Sequence, residues 1–265
     1  MVQFLPLIVN LTLAHLLADF YCQTEKSCRN KLLKNHKSRA LWLHFLVMLL
    51  FMWIGTMSWK GILLAAPIAV THLIVDWFKS FLSIRMQVFR IEGEKLEPGK
   101  HNQYDLLLFL VDQLLHIASI VGFVFLSRGM FLTWSEPQCV TTFCQAHPLC
   151  AATIIGIVVV AKPANILVLD ILKTCKINGA SNDDHGQFRS GALIGNLERI
   201  LILLFVVLSQ YEAIGFLIAA KSILRFKETS EGEKSEYVLC GTLLSLAISL
   251  VIGLVIIKLN SLGSL

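Results

Sequence analysis

Residues 61–81 read GILLAAPIAVTHLIVDWFKSF. The stretch has the length at which a helix crosses the hydrocarbon core of a bilayer, roughly 20 residues at 1.5 Å each. In its middle sit His72 and Asp76, four residues apart. On a helix that spacing puts both side chains on one face, one turn above the other. Two other apolar stretches carry the same device. Residues 11–22, LTLAHLLADFYC, hold His15 and Asp19; residues 110–118, LVDQLLHIA, reverse the order with Asp112 and His116. A further histidine, His44, lies about one turn into the apolar run RALWLHFL.

The rest of the chain has the same character. Of 265 residues, 55% are hydrophobic and 15% charged, against roughly 25% charge in ordinary soluble domains. The apolar residues fall in long blocks. This reads as an all-α fold, a polytopic transmembrane helical bundle of about eight spans. They are expected near 3–21, 40–58, 61–81, 104–127, 149–172, 191–209, 212–226 and 236–258. The first block starts at Val2 with no basic region before it, the pattern of a first span and not of a cleaved leader. Three regions are expected: an N-terminal four-helix His/Asp region at 1–133, a cysteine loop at 134–148, and a C-terminal four-helix region at 149–265.

The net charge of +5 is explained by membrane orientation, and nothing in the chain suggests nucleic-acid binding. Lysines and arginines cluster at Lys26, Arg29, Lys31, Lys34, Lys37 and Arg39. A second cluster is Lys79, Arg85, Arg90, Lys95 and Lys100; Lys173, Lys176 and Arg189 form a third, and Arg225, Lys227 and Lys234 a fourth. With eight alternating spans, all of these fall on one side. The positive-inside rule then makes that side cytosolic and puts both termini outside. Cys139, Cys144 and Cys150 fall on the outer side, where a disulfide can form if that compartment is oxidising; a zinc knuckle with His147 is the weaker reading.

The buried carboxylates need partners. An aspartate at mid-span costs roughly 2.5–3.5 kcal/mol. The bland solution is local, each histidine bonding the aspartate one turn away on its own helix. The sharper solution is a divalent metal, since structural zinc contributes about 10–16 kcal/mol in peptides. His15, Asp19, His44, His72, Asp76, Asp112 and His116 are a mixed nitrogen and oxygen set suited to zinc first, and to manganese or iron. One ion with outer carboxylate–histidine pairs, or two ions sharing a carboxylate, would use them. Asp112, if not a ligand, is the candidate general base.

A second polar set lies further along. GNLER holds Glu198 and Arg199, and AAKSILRF holds Lys221 and Arg225. Two readings stay open here. Glu198 and Lys221 can form an internal ion pair, or Arg199, Lys221 and Arg225 can hold an anionic lipid or lipid-linked substrate. The loop SNDDHGQFRSG, with Asp183, Asp184 and His185, reads as solvated.

In combination, HxxxD at His15/Asp19, the lone His44, HxxxD at His72/Asp76 and DQxxH at Asp112-Gln113/His116 resemble a bacterial family of polytopic membrane proteins with domain of unknown function 3307. The runs IGNLER, IGFLIAAKSILRF and EYVLCGTLLS resemble it too. The N-terminal pattern is more distantly similar to inner-membrane metal-dependent hydrolases. The resemblance implies a multi-pass protein of the bacterial inner membrane. Three functions follow as expectations: a metal-dependent hydrolase acting at the cytosolic leaflet, a divalent metal or proton transporter, and a non-catalytic membrane scaffold.

Overall fold

The computed structural model describes residues 5–34, 37–86, 88–92, 95–98, 104–127, 148–175, 185–225 and 232–263. The chain divides into two units, Met1–Cys144 and Gln145–Leu265. The cysteine loop's Cys139, Cys144 and His147, and Asp183 and Asp184 of the later loop, lie outside the described residues; Cys150 is free and exposed.

Unit 1 begins with α1 (Leu5–Leu16), which runs straight into a π-helical turn at Leu17–Tyr21. A short polar helix, α2 (Glu25–Lys34), precedes α3 (Arg39–Gly55). A turn through Trp59–Gly61 leads to α4 (Ile62–Arg85). Gly61 is required there, because a Cβ would stand 1.6 Å from Thr56 Oγ1. A two-stranded antiparallel ribbon, β1 (Phe89–Glu92) with β2 (Lys95–Pro98), separates α4 from α5 (Asp105–Leu126). Apart from this ribbon the described residues are helices, with the turns that join them, and the fold is all-α.

Leu11, Ala14, Ala18, Met48, Met52, Ala65, Ile68, Ala69, Ile120 and Val124 form the core between α1, α3, α4 and α5. Its alanines let helix backbones approach closely. Other large apolar residues turn outward: Trp42, Leu43, Leu46, Leu50 and Ile54 on α3, and Leu107, Leu110 and Leu114 on α5, are all exposed. An apolar exterior of this kind suits lipid.

Unit 2 comprises α6 (Pro148–Ala161), α7 (Pro163–Thr174), α8 (His185–Val207), α9 (Tyr211–Arg225) and α10 (Gly232–Gly263). Pro163 lacks an N–H, so it ends one helix at Lys162 and opens the next. Gly253 lies against Val206 on the facing helix, with no room for a Cβ.

Eight spans is too many. Among the described residues, four segments are long and apolar enough to cross a membrane: Trp59–Arg85, Asp105–Leu126, Leu149–Thr174 and Tyr237–Ser261. Two more apolar helices, Pro6–Tyr21 and Arg39–Gly55, are shorter. One block shows why: 212–226 folds as the 15-residue α9, about 22 Å long.

Candidate metal centre

Four helices deliver seven polar side chains to one place in unit 1. His15 comes from α1, Asp19 from the π turn, His44 from α3, His72 and Asp76 from α4, and Asp112 and His116 from α5. The four imidazoles form a continuous group. The His72 and His116 rings stack with centroids 3.9 Å apart. His15 lies 5.3 Å from His72 and 5.1 Å from His116, and His44 lies 5.1 Å from His72. All four histidines are buried, as are Asp76 and Asp112.

The i, i+4 pairs do not bond to themselves. His116 Nδ1 and Asp112 Oδ1 are 3.8 Å apart, beyond hydrogen-bond length. Asp19 reaches across to other helices: its Oδ1 lies 3.0 Å from His44 Nε2 and 3.2 Å from His72 Nε2. The π turn has one extra residue per turn, so it takes Asp19 off the straight line above His15. Single π turns of this kind recur at functional sites.

Two lysines complete the group. Lys31 of α2 is buried, and its Nζ donates to Asp76 Oδ2 at 2.5 Å. Lys79, one turn beyond Asp76 on α4, donates to Asp112 Oδ2 at 2.9 Å. Both belong to the basic clusters that the sequence suggests serve only to orient the chain. Two glutamines tie the rest together. Gln113 donates to Asp19 Oδ2 at 3.4 Å and Asp112 Oδ2 at 3.1 Å, and its Oε1 lies 3.4 Å from His15 Nε2. Gln23 lies 2.6 Å from His44 Nε2 and donates to Asp19 Oδ1 at 3.4 Å. Gln113 stands inside the DQxxH motif, and Lys79 inside the stretch quoted first. Those were the available signals; Lys31 and Gln23 carried none.

The bonding of this group is incomplete. Both ring nitrogens of His116, Nδ1 of His15, Nε2 of His72 and Oδ1 of Asp112 are buried without a hydrogen-bond partner. Buried polar atoms are nearly always satisfied. His15, Asp19, His72 and His116 each offer a ligand atom, and those atoms lie within 4.8 Å of one another. A tetrahedral zinc with bonds of about 2.0–2.1 Å needs ligand atoms about 3.3 Å apart, which small side-chain movements supply. His44, His72 and Asp76 form a second such group, and Asp76, Asp112 and His116 a third. In both, Asp76 is already held by Lys31.

The polar set of unit 2 is built differently. Arg199 is buried; its Nε donates to Val160 O at 2.7 Å, and its Nη2 to Ala161 O at 3.5 Å. Those carbonyls end α6, next to the break made by Pro163. The remaining guanidinium donors go to Ser245 Oγ, Asn165 Oδ1 and Asn196 Oδ1. Lys221 donates to Glu198 Oε2. Arg199 and Lys221 are therefore both engaged with the protein itself. Arg225 ends α9.

Fold and site together define a helical membrane protein whose first unit encloses an imidazole–carboxylate centre. The chain belongs to the family described as protein of unknown function (DUF3307), whose model matches residues 7–147. The match takes in every helix that contributes to the centre and stops short of IGNLER and the later runs. No curated protein and no solved structure matches the chain.

Proposed function

We propose that unit 1 binds one divalent cation through His15, Asp19, His72 and His116, with zinc the best fit to three imidazoles and one carboxylate. The observation that carries this is His116. An imidazole buried with neither nitrogen bonded, stacked on a second imidazole, is costly unless something else engages it. His44, Gln23 and Gln113 then orient the ligands from outside, as partners of metal-bound histidines and carboxylates generally do. Lys31 and Lys79 neutralise the two carboxylates left over.

The activity this best supports is a metal-dependent hydrolase acting on an amphiphilic or lipid-linked substrate. A bound cation lowers the pKa of a coordinated water to about 7. Asp112 has one oxygen held by Lys79 and Gln113 and the other unpartnered, so its free oxygen would be the one to accept a proton from a water activated there. Purified protein loaded with zinc and incubated with a membrane lipid extract should release a water-soluble product detectable by mass spectrometry. Asp112→Asn should lower that rate by about 10²–10⁴-fold while bound zinc is retained. No product from any lipid fraction would remove the hydrolase reading.

A cation carrier is the second reading, favoured by the Lys31–Asp76 and Lys79–Asp112 pairs. Buried ion pairs among apolar helices often mark ion pathways. Zinc or proton flux into proteoliposomes that collapses with Asp76→Asn, with no hydrolysis, would select it.

We infer a location in the bacterial cytoplasmic membrane with both termini outside: with the four long segments and the two shorter apolar helices taken as six spans, the four basic clusters still fall on one side. Single-cysteine variants test this. Cys22 should label with a membrane-impermeant maleimide only from the cytosolic side, and Cys150 only from the other. Labelling of both from one side would reverse the inference.

A further inference from the structure

The segment that follows the π turn covers one side of the centre. Gln23 leads into α2 (Glu25–Lys34), and the one buried residue of α2 is a charged one, Lys31. The other nine residues of the helix are half-buried or exposed. A helix with no buried apolar residue of its own, fastened by a single ammonium, belongs to the parts of a fold that open most easily.

What this segment covers is specific. Gln23 Nε2 lies 2.6 Å from His44 Nε2 and donates to Asp19 Oδ1 at 3.4 Å. Lys31 Nζ donates to Asp76 Oδ2 at 2.5 Å. The three atoms covered are an imidazole nitrogen and two carboxylate oxygens, and they stand together. His44 Nε2 is 3.0 Å from Asp19 Oδ1 and 3.7 Å from Asp76 Oδ2. Those separations bracket the roughly 3.3 Å between neighbouring ligands of a tetrahedral ion. The ammonium of Lys31 is an independent observation. A cation already sits here, supplied by the chain itself, against a carboxylate that the first cation site leaves unused.

We propose that His44, Asp76 and Asp19 form a second divalent-cation site, which Lys31 and Gln23 block while α2 is closed. The proposal rests on the reading of His15, Asp19, His72 and His116 as the first site. Asp19 is shared, because its Oδ1 faces His44 and also, at 3.2 Å, His72 Nε2. His72 lies within reach of His44 and Asp76 as well, but is committed to the first ion. One imidazole and two carboxylates make the second position richer in oxygen than the first, which suits manganese as well as zinc. Three protein ligands leave a fourth position open, the pattern of a catalytic ion. The entering ion takes Asp76 from Lys31 and His44 from Gln23, so its binding and the release of α2 are one event. α2 is a latch: the centre holds one ion when it is shut and two when it is open.

The test loads the full chain, in neutral detergent micelles, with one equivalent of zinc and then titrates it with manganese. Bound manganese is counted from the loss of the free ion's paramagnetic signal. Wild type should take up one manganese weakly and keep its zinc. Lys31→Met should bind that manganese about a hundredfold more tightly, because the ion no longer has to break a buried ion pair. His44→Leu should keep zinc and bind no manganese. Lys31→Met is also expected to lose stability, so amide exchange in the wild type, read by mass spectrometry, supplies a second measurement. Residues 25–34 should exchange about tenfold faster with manganese bound, as a local opening requires. Protein that takes up no zinc overturns the first site and this proposal with it. If zinc binds, three results overturn the second site alone: no manganese bound by wild type or Lys31→Met, equal manganese affinity in the two, or unchanged exchange over residues 25–34.

Discussion

The two units bury polar groups among apolar helices in opposite ways. In unit 2, Arg199 sits where Pro163 has broken a helix, and it donates to the exposed helix-end carbonyls and to Ser245, Asn165 and Asn196. Among the described residues of unit 2, Ser249 alone has a buried side-chain atom left unbonded. Among the described residues of unit 1, by contrast, unbonded atoms gather on His15, His72, His116 and Asp112, with Ser38 the one other. A saturated network is structural by construction. The unsaturated one, with ligand-type atoms within 4.8 Å of one another, is what the proposed cation site rests on.

The contrast is sharpest in a pair of substitutions. Arg199→Met should be the most damaging, destabilising unit 2 by about 3–5 kcal/mol, because it orphans carbonyls and amide oxygens together. Thermal unfolding in micelles checks it. His116→Leu removes a comparable buried polar group but breaks no hydrogen bond. In metal-free protein it should be neutral or raise the melting temperature, since replacing an unsatisfied group by an apolar one of similar shape relieves its desolvation. A large loss of stability in metal-free His116→Leu would erase the distinction between the units.

Lys31→Met tests the boundary of the centre. It leaves Asp76 buried with only His44 Nε2 facing it, at 3.7 Å, which should cost about 3 kcal/mol. Added zinc should recover part of that loss, because Asp76 can then join His44 and His72 as a ligand. Zinc at about 100 times its dissociation constant should stabilise the wild-type chain by about 2.7 kcal/mol and leave His116→Leu unmoved. The smallest effect is expected at Lys221→Met. That lysine and Glu198 keep 18% and 14% of their side-chain surface open, against 8% and 10% for Lys31 and Asp76, so the charge left behind is less thoroughly desolvated.

Much of this was legible in the sequence, and the remainder was hidden for identifiable reasons. His15, His44, His72, His116 and the three aspartates stand out because ionisable groups are rare in apolar blocks. Their pairing does not follow from spacing. The i, i+4 rule describes a straight helix, whereas the π turn at Leu17–Tyr21 and the packing of α3 and α4 bring Asp19 to His44 and His72. Lys31 and Lys79 read as orientation charges because hydropathy treats every loop lysine alike; only tertiary contact distinguishes a lysine that folds back onto Asp76. The span count failed for a related reason. An apolar block shows that a segment is buried in lipid or protein, but not whether its helix is long enough to cross a bilayer, as α9 demonstrates. Arg199 carried a real ambiguity between anion site and internal bond, and nothing local to GNLER signalled the break at Pro163 that gives it acceptors.

The central claim is that unit 1 is a metal centre. Elemental analysis by plasma mass spectrometry, on protein purified without chelators, addresses it directly. The account predicts about one divalent ion per chain, lost in His116→Leu and in His72→Leu but kept in Arg199→Met molecules that remain folded. Folded wild-type protein carrying no ion and acquiring none on dialysis against zinc, manganese or iron would contradict it.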